Sequence, residues 1–115
     1  AHPDSVHSLP TSAGQEDHNA NALTAARHAS QIIANVTHIL AVHFFTSAQA
    51  IDLRSKAVPG RKLSPAVAVA HARIRRDVPF VERDRFYKSD IERVRALIQN
   101  GEIARAVGVK FQERI

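Results

Sequence analysis

The chain is 115 residues long, 44% hydrophobic and only 5% aromatic, with a formal charge of +5 and no cysteine, methionine or tryptophan. That length allows one modest core. The absence of cysteine excludes a disulfide framework and a thiolate metal site, as fits a reducing, cytoplasmic setting. Alanine in place of aromatics favours packed helices over a sheet.

Residues 1–14 hold two prolines, four Ser/Thr and a glycine, and read as a loop leading into a helix. Nothing in them forms the basic and apolar blocks of a signal peptide. With no methionine at its start, the chain is expected to be a processed product, a separately encoded subunit or a segment of a longer chain.

The most informative stretch follows. From His18 to Ile51 there is one formal charge, Arg27, and neither proline nor glycine. Ser12 three residues before Gln15 forms a capping-box pattern, and Glu16 and Asp17 suit the positive end of a helix. Leu23, Ala26, Ala29, Ile33, Val36, Leu40 and Phe44 recur at helical spacing, and Ile32, Ile39, Val42 and Phe45 spread apolar groups around the cylinder. The pattern predicts one long helix over 15–54, with too few charges to face water on its own. Such a helix implies burial by other chains, so the protein reads as part of a larger assembly. Asn35, Thr37, His38, His43, Thr46, Ser47 and Gln49 argue against a membrane span.

A basic linker is expected over 55–63, broken by Pro59-Gly60. The C-terminal helical region, 64–115, then contains Ser64-Pro65 as a start and Pro79 as a stop. A second capping box, Ser89-Asp90-Ile91-Glu92, opens a helix that Asn100-Gly101 closes, and Glu102 to Val107 adds a further short turn. The fold class is therefore all-α: one very long bundle helix followed by two shorter amphipathic helices, within a larger oligomeric bundle.

Four features bear on chemistry. Glu16 and Asp17 serve either as dipole-stabilising carboxylates or as site residues. His18, His28, His38 and His43 lack the i, i+4 spacing of helical zinc ligands and read as core or interface histidines, so no metal site is expected. Arg73, Arg75, Arg76, Arg83 and Arg85 interleave with Asp77, Glu82 and Asp84, which suits a salt-bridged surface better than a nucleic-acid patch. Ser12-Ala13-Gly14 reads as a tight turn.

Three strings in order are more specific than any alone: Ser5-Val6-His7-Ser8-Leu9-Pro10-Thr11-Ser12 leading into Gln15-Glu16-Asp17-His18, then Ala48-Gln49-Ala50-Ile51-Asp52-Leu53-Arg54, then Arg83-Asp84-Arg85-Phe86 with Asp90-Ile91. Together they resemble the C-terminal part of the aromatic amino acid ammonia-lyases, above all the histidine ammonia-lyases. The resemblance implies a carbon-nitrogen lyase, a homotetramer with a central helical bundle, an active site shared between subunits, and a methylidene-imidazolone cofactor made from an internal Ala-Ser-Gly. It implies Glu16 as the active-site carboxylate, facing the amine or imidazole of a small aromatic amino acid, and Gln15 as its supporting neighbour. Members acting on phenylalanine or tyrosine commonly carry an amide at this position, so Glu16 favours L-histidine, converted to urocanate.

Two departures stand against that pattern. Asn19-Ala20-Asn21 replaces a Val-Ser-Met-like string, which leaves a phenylalanine or tyrosine lyase or an aminomutase open. Ser12-Ala13-Gly14 has the cofactor's residue types in the wrong order, so the cofactor and the remaining lyase polypeptide are expected outside these 115 residues. A non-catalytic helical assembly module derived from such an enzyme is the competing class. No nucleic-acid or membrane partner is expected.

Overall fold

The computed structural model describes residues 3, 6 and 8–109. They contain a 3-10 turn at Ser12–Gly14 and four α-helices: α1 (Ala22–Ala57), α2 (Pro65–Asp77), α3 (Lys88–Gln99) and α4 (Glu102–Ala106). No strand occurs among the described residues, only one isolated β-bridge, and the chain is all-α. Two compact units divide at Val36/Thr37, within α1.

In the first unit the long helix starts later than its sequence predicts. Residues 15–21 are not helical, and α1 begins at Ala22 without an acidic residue in its first turn. Glu16 and Asp17 are therefore not dipole partners of this helix. The reason is local. Ser12, Ala13 and Asn21 all have positive φ, at 52°, 56° and 46°, which no helix interior accepts. The Asn19 side chain accepts a bond from the Asn21 amide at 3.2 Å, turning the chain just before the helix. Asn21 then accepts the amide of Ala25 at 3.0 Å, the first bond of α1.

The second unit holds the core. Ala41, Phe45 and Ala48 form one stripe of α1 and share a cluster with Ile74, Val78, Val94, Leu97 and Ile103. They are the only fully buried residues α1 contributes. The helix ends where Val58 precedes Pro59, a pairing that disfavours helical backbone, with Arg54 and Lys56 in its last turn. Ser64 takes the N-cap position of α2 with extended backbone and Pro65 follows at the first helical position, although the serine hydroxyl makes no cap bond. Val78 and Pro79 end α2 as expected.

Segment 78–87 fastens the second unit together. It runs antiparallel to α1: Phe80 lies under the Lys56 ammonium at 3.9 Å, Val81 pairs with Gln49, and the Tyr87 ring packs on Phe45 at 5.6 Å between centroids. The Gln49 side chain mimics a peptide group, donating to the Val81 carbonyl at 2.8 Å and accepting the Val81 amide at 3.1 Å. Arg75 donates to Asp52 at 2.7 Å, to the carbonyls of Val78 and Pro79 at 3.2 and 3.1 Å, and to Gln49 at 3.3 Å. His71 Nε2 stands 2.8 Å from the other Asp52 oxygen, close but poorly aligned for a hydrogen bond. Arg73 joins α2 to α4 through Glu102 and also bonds Asp77, and these two carboxylates raise its pKa.

The start of α3 also differs from expectation. The helix opens at Lys88 with Tyr87 as N-cap and no side-chain cap, so Ser89 to Glu92 is not a working capping box. Asp90 is instead buried, 1% exposed, with Arg85 at 2.5 Å and Arg93 at 3.2 Å from its two oxygens. Burial with two cations is a stronger demand on that carboxylate than a cap. Asn100 and Gly101, the latter at φ 67°, close α3 and lead into α4.

Two outcomes follow from these contacts. Asp90→Ala removes the buried carboxylate that Arg85 and Arg93 share, and because both arginines reach water it lowers stability by about 1–2 kcal/mol in denaturant unfolding. Glu92→Ala, which loses only the surface pair with Arg95, changes it by less than about 1 kcal/mol. The Tyr87 phenol donates to Asp84 at 2.7 Å, and this bond chiefly raises its pKa. The stability it lends is thus present below the ordinary tyrosine pKa and is lost as pH climbs through the raised one. Phenolate absorbance, taken as the difference between the native protein and Tyr87→Phe, should titrate above free tyrosine and move back down in Asp84→Ala.

Candidate functional site

The segment expected to carry the site is a tight loop at the head of the first unit. Thr11 and Glu16 form an antiparallel bridge, the Thr11 amide donating to the Glu16 carbonyl at 3.0 Å and the Glu16 amide to the Thr11 carbonyl at 3.2 Å. Four residues close the turn between them. Within it Gly14 donates to the Thr11 carbonyl and Gln15 to the Ser12 carbonyl, each at 3.1 Å. Three consecutive positive φ angles, at Ser12, Ala13 and Gly14, let the chain reverse in so short a span. Glycine takes its 85° freely, whereas serine and alanine hold theirs at a cost of about 1–2 kcal/mol each. A second tie lies below the bridge, where the Asn19 amide donates to the Ser8 hydroxyl at 2.7 Å.

Directly opposed residues of a hydrogen-bonded antiparallel pair project their side chains to the same face. That register brings the Thr11 hydroxyl to Glu16, where it donates to Oε2 at 2.5 Å. No other described residue bonds the carboxylate. Glu16 is exposed, a charged acceptor presented on a braced loop. Gln15 is also exposed and is fixed only by its backbone bond to Ser12; its side chain and that of Glu16 are adjacent in sequence but make no mutual hydrogen bond. Thr11 was not among the residues singled out from sequence. Its position five before Glu16, across a Ser-Ala-Gly turn, was the available signal.

The remaining candidates fall elsewhere. His18, His28, His38 and His43 are exposed, so none is a core histidine of this chain, and no group of three metal-binding side chains forms among the described residues. Arg73, Arg75 and Arg85 are each paired with carboxylates. No helix among the described residues is long and apolar enough to cross a membrane.

The family model for aromatic amino acid lyases matches residues 1–76. The chain belongs to the aromatic amino acid lyase family. The histidine ammonia-lyases of Symbiobacterium thermophilum and Gloeobacter violaceus are each 45% identical to it over 107 residues, 93% of this chain and 20% of each relative. The crystal structure of a tyrosine aminomutase from Streptomyces globisporus superimposes with a TM-score of 0.80 at 34% identity, covering 97% of this chain and 21% of that one. The chain thus spans about a fifth of the length of the relatives it matches.

Ser12-Ala13-Gly14 is the tight turn its composition suggests, held in the 11–16 loop by the Gly14 and Gln15 amide bonds.

The loop's backbone makes a testable demand. Gly14→Val forces a branched side chain to φ 85° and should weaken exchange protection of the Glu16 amide, whereas Ala13→Gly relieves strain and should keep or raise it, as amide hydrogen exchange will show.

Proposed function

We propose that this chain is the C-terminal part of an ammonia-lyase that releases ammonia from an aromatic L-amino acid, and that L-histidine, giving urocanate, is its substrate. The observation that carries the reading is Glu16, an exposed carboxylate on a braced loop in a chain 45% identical to histidine ammonia-lyases. Such a carboxylate attracts a cationic amine or accepts a proton from an imidazole N–H, and it can take a proton from carbon when held against it. Gln15, its neighbour, supports the pocket by hydrogen bonds from its amide. The methylidene-imidazolone cofactor and the rest of the pocket belong, in this reading, to other parts of the enzyme, in a cytoplasmic assembly.

The exposed apolar side chains of α1 support the oligomeric side of the proposal. Leu23, Ile32, Ile33 and Val36 in the first unit, and Ile39 and Leu53 in the second, stand in the open. Exposed apolar side chains in this number on one helix suit burial by neighbouring subunits, as in a tetrameric bundle.

The likeness to a tyrosine aminomutase, together with Asn19-Ala20-Asn21 beside Glu16, favours a second reading in which the substrate is another aromatic amino acid.

The test is ammonia release by the native assembly offered histidine, phenylalanine and tyrosine separately. Release from histidine alone, lowered at least a hundredfold by Glu16→Ala with assembly size unchanged, is the expected result. Release from tyrosine or phenylalanine moves the protein to the second reading. Silence on all three means another substrate, an amine shift without net ammonia release as an aminomutase makes, or a structural module, and an assembly lost with Glu16 makes that residue structural.

A further inference from the structure

We propose that Thr11 is a positioning residue for Glu16, holding Oε2 so that Oε1 is the oxygen that meets the substrate. The inference rests on the catalytic reading of Glu16 and deepens it.

A glutamate on a loop has three side-chain torsions, and an exposed one samples many of them. Here three bonds to one residue oppose that freedom. The two backbone bonds of the bridge fix where the Glu16 Cα lies relative to Thr11, and the hydroxyl bond then fixes where the carboxylate points. Threonine suits the position in two ways. Its branched β-carbon restricts its own χ1, and its extended backbone at φ −120° and ψ 177° is the conformation such residues prefer. The constraint is thus passed from backbone to hydroxyl to carboxylate with little slack.

The hydroxyl also decides which acceptor is left. Oε2 is engaged at 2.5 Å, while Oε1 has no partner among the described residues. A substrate ammonium or ring N–H therefore meets one oriented oxygen instead of a rotating pair. Orientation set before binding lowers the entropy lost on binding and in the transition state. Thr11 touches neither substrate nor cofactor in this scheme and acts only through Glu16.

A double-mutant cycle in the complete enzyme tests this, with kcat and KM for histidine measured in native, Thr11→Val, Glu16→Ala and the double variant, and calorimetric binding of histidine for variants too slow to assay. Thr11→Val keeps the branched shape and removes the donor, and kcat/KM should fall about tenfold, the usual worth of a hydrogen bond to a charged group. Thr11→Ser, which restores the donor, should recover to within about twofold of the native enzyme. On top of Glu16→Ala, Thr11→Val should cost less than about twofold, because the group it positions is gone. The same tenfold loss in both backgrounds would show that Thr11 only maintains the loop, and no loss in the native background would also overturn the proposal. Should Thr11→Val fail to fold, Thr11→Ala against Thr11→Ser carries the same comparison. A Glu16→Ala enzyme with native turnover would instead sink the catalytic reading of Glu16, a different failure from additivity of the two losses.

Discussion

The second unit depends on the grip that Arg75 and Gln49 together exert on segment 78–81. Its buried apolar set is small, eight residues of which two are alanines, and a core of that size holds a long helix weakly. The guanidinium of Arg75 spreads over Asp52 of α1, two carbonyls beyond the end of α2 and the Gln49 amide, so one side chain joins three pieces of chain. Those carbonyls belong to a helix end and a proline-containing turn, where backbone partners are scarce. Arg75 supplies the missing donors to those two carbonyls, Gln49 donates to the Val81 carbonyl beyond them, and Val78 is fully buried.

The Glu16 loop is built on another plan. No buried core residue lies in it, and its shape comes from short hydrogen bonds between near neighbours and from three left-handed residues in a row. Rigidity of this kind is local, so the loop can present a charged group to solvent without the desolvation that burial brings. Asp90 shows the contrast within one chain: a carboxylate taken out of water needs two arginines, whereas the exposed Glu16 is oriented by one hydroxyl.

Much of the fold was legible where a residue has one mechanical meaning. Pro65 can only begin a helix, Pro79 can only follow one, and Asn100-Gly101 suits a left-handed exit; the structure agrees at each. Capping boxes proved ambiguous, because a serine, asparagine or aspartate that caps a helix uses the same side-chain to backbone bonds that shape a turn. Ser12 and Gln15 went to the turn, Asn19 and Asn21 set the true start, and Asp90 went to the interior. The family came from the resemblance of three strings in order, and the proposed role of Glu16 came from the Gln15 to His18 string among them. The place of Thr11, five residues before Glu16 across a Ser-Ala-Gly turn, was a weak sign that it would fold back, because that turn needs left-handed backbone at serine and alanine, which sequence preferences argue against. The Ala48 to Arg54 string had served only as a family mark, and its physical use is now plain: Gln49 and Asp52 are the α1 half of the clamp.

That clamp contains two kinds of bond with different responses to the solution. Asp52 and Arg75 are charged and partly exposed, so dissolved ions compete for them and weaken their attraction. The Gln49 amide and the Val81 peptide carry no charge at all. Their pairing is indifferent to ionic strength, so in brine as in dilute buffer segment 78–87 keeps at least one fixed point on α1.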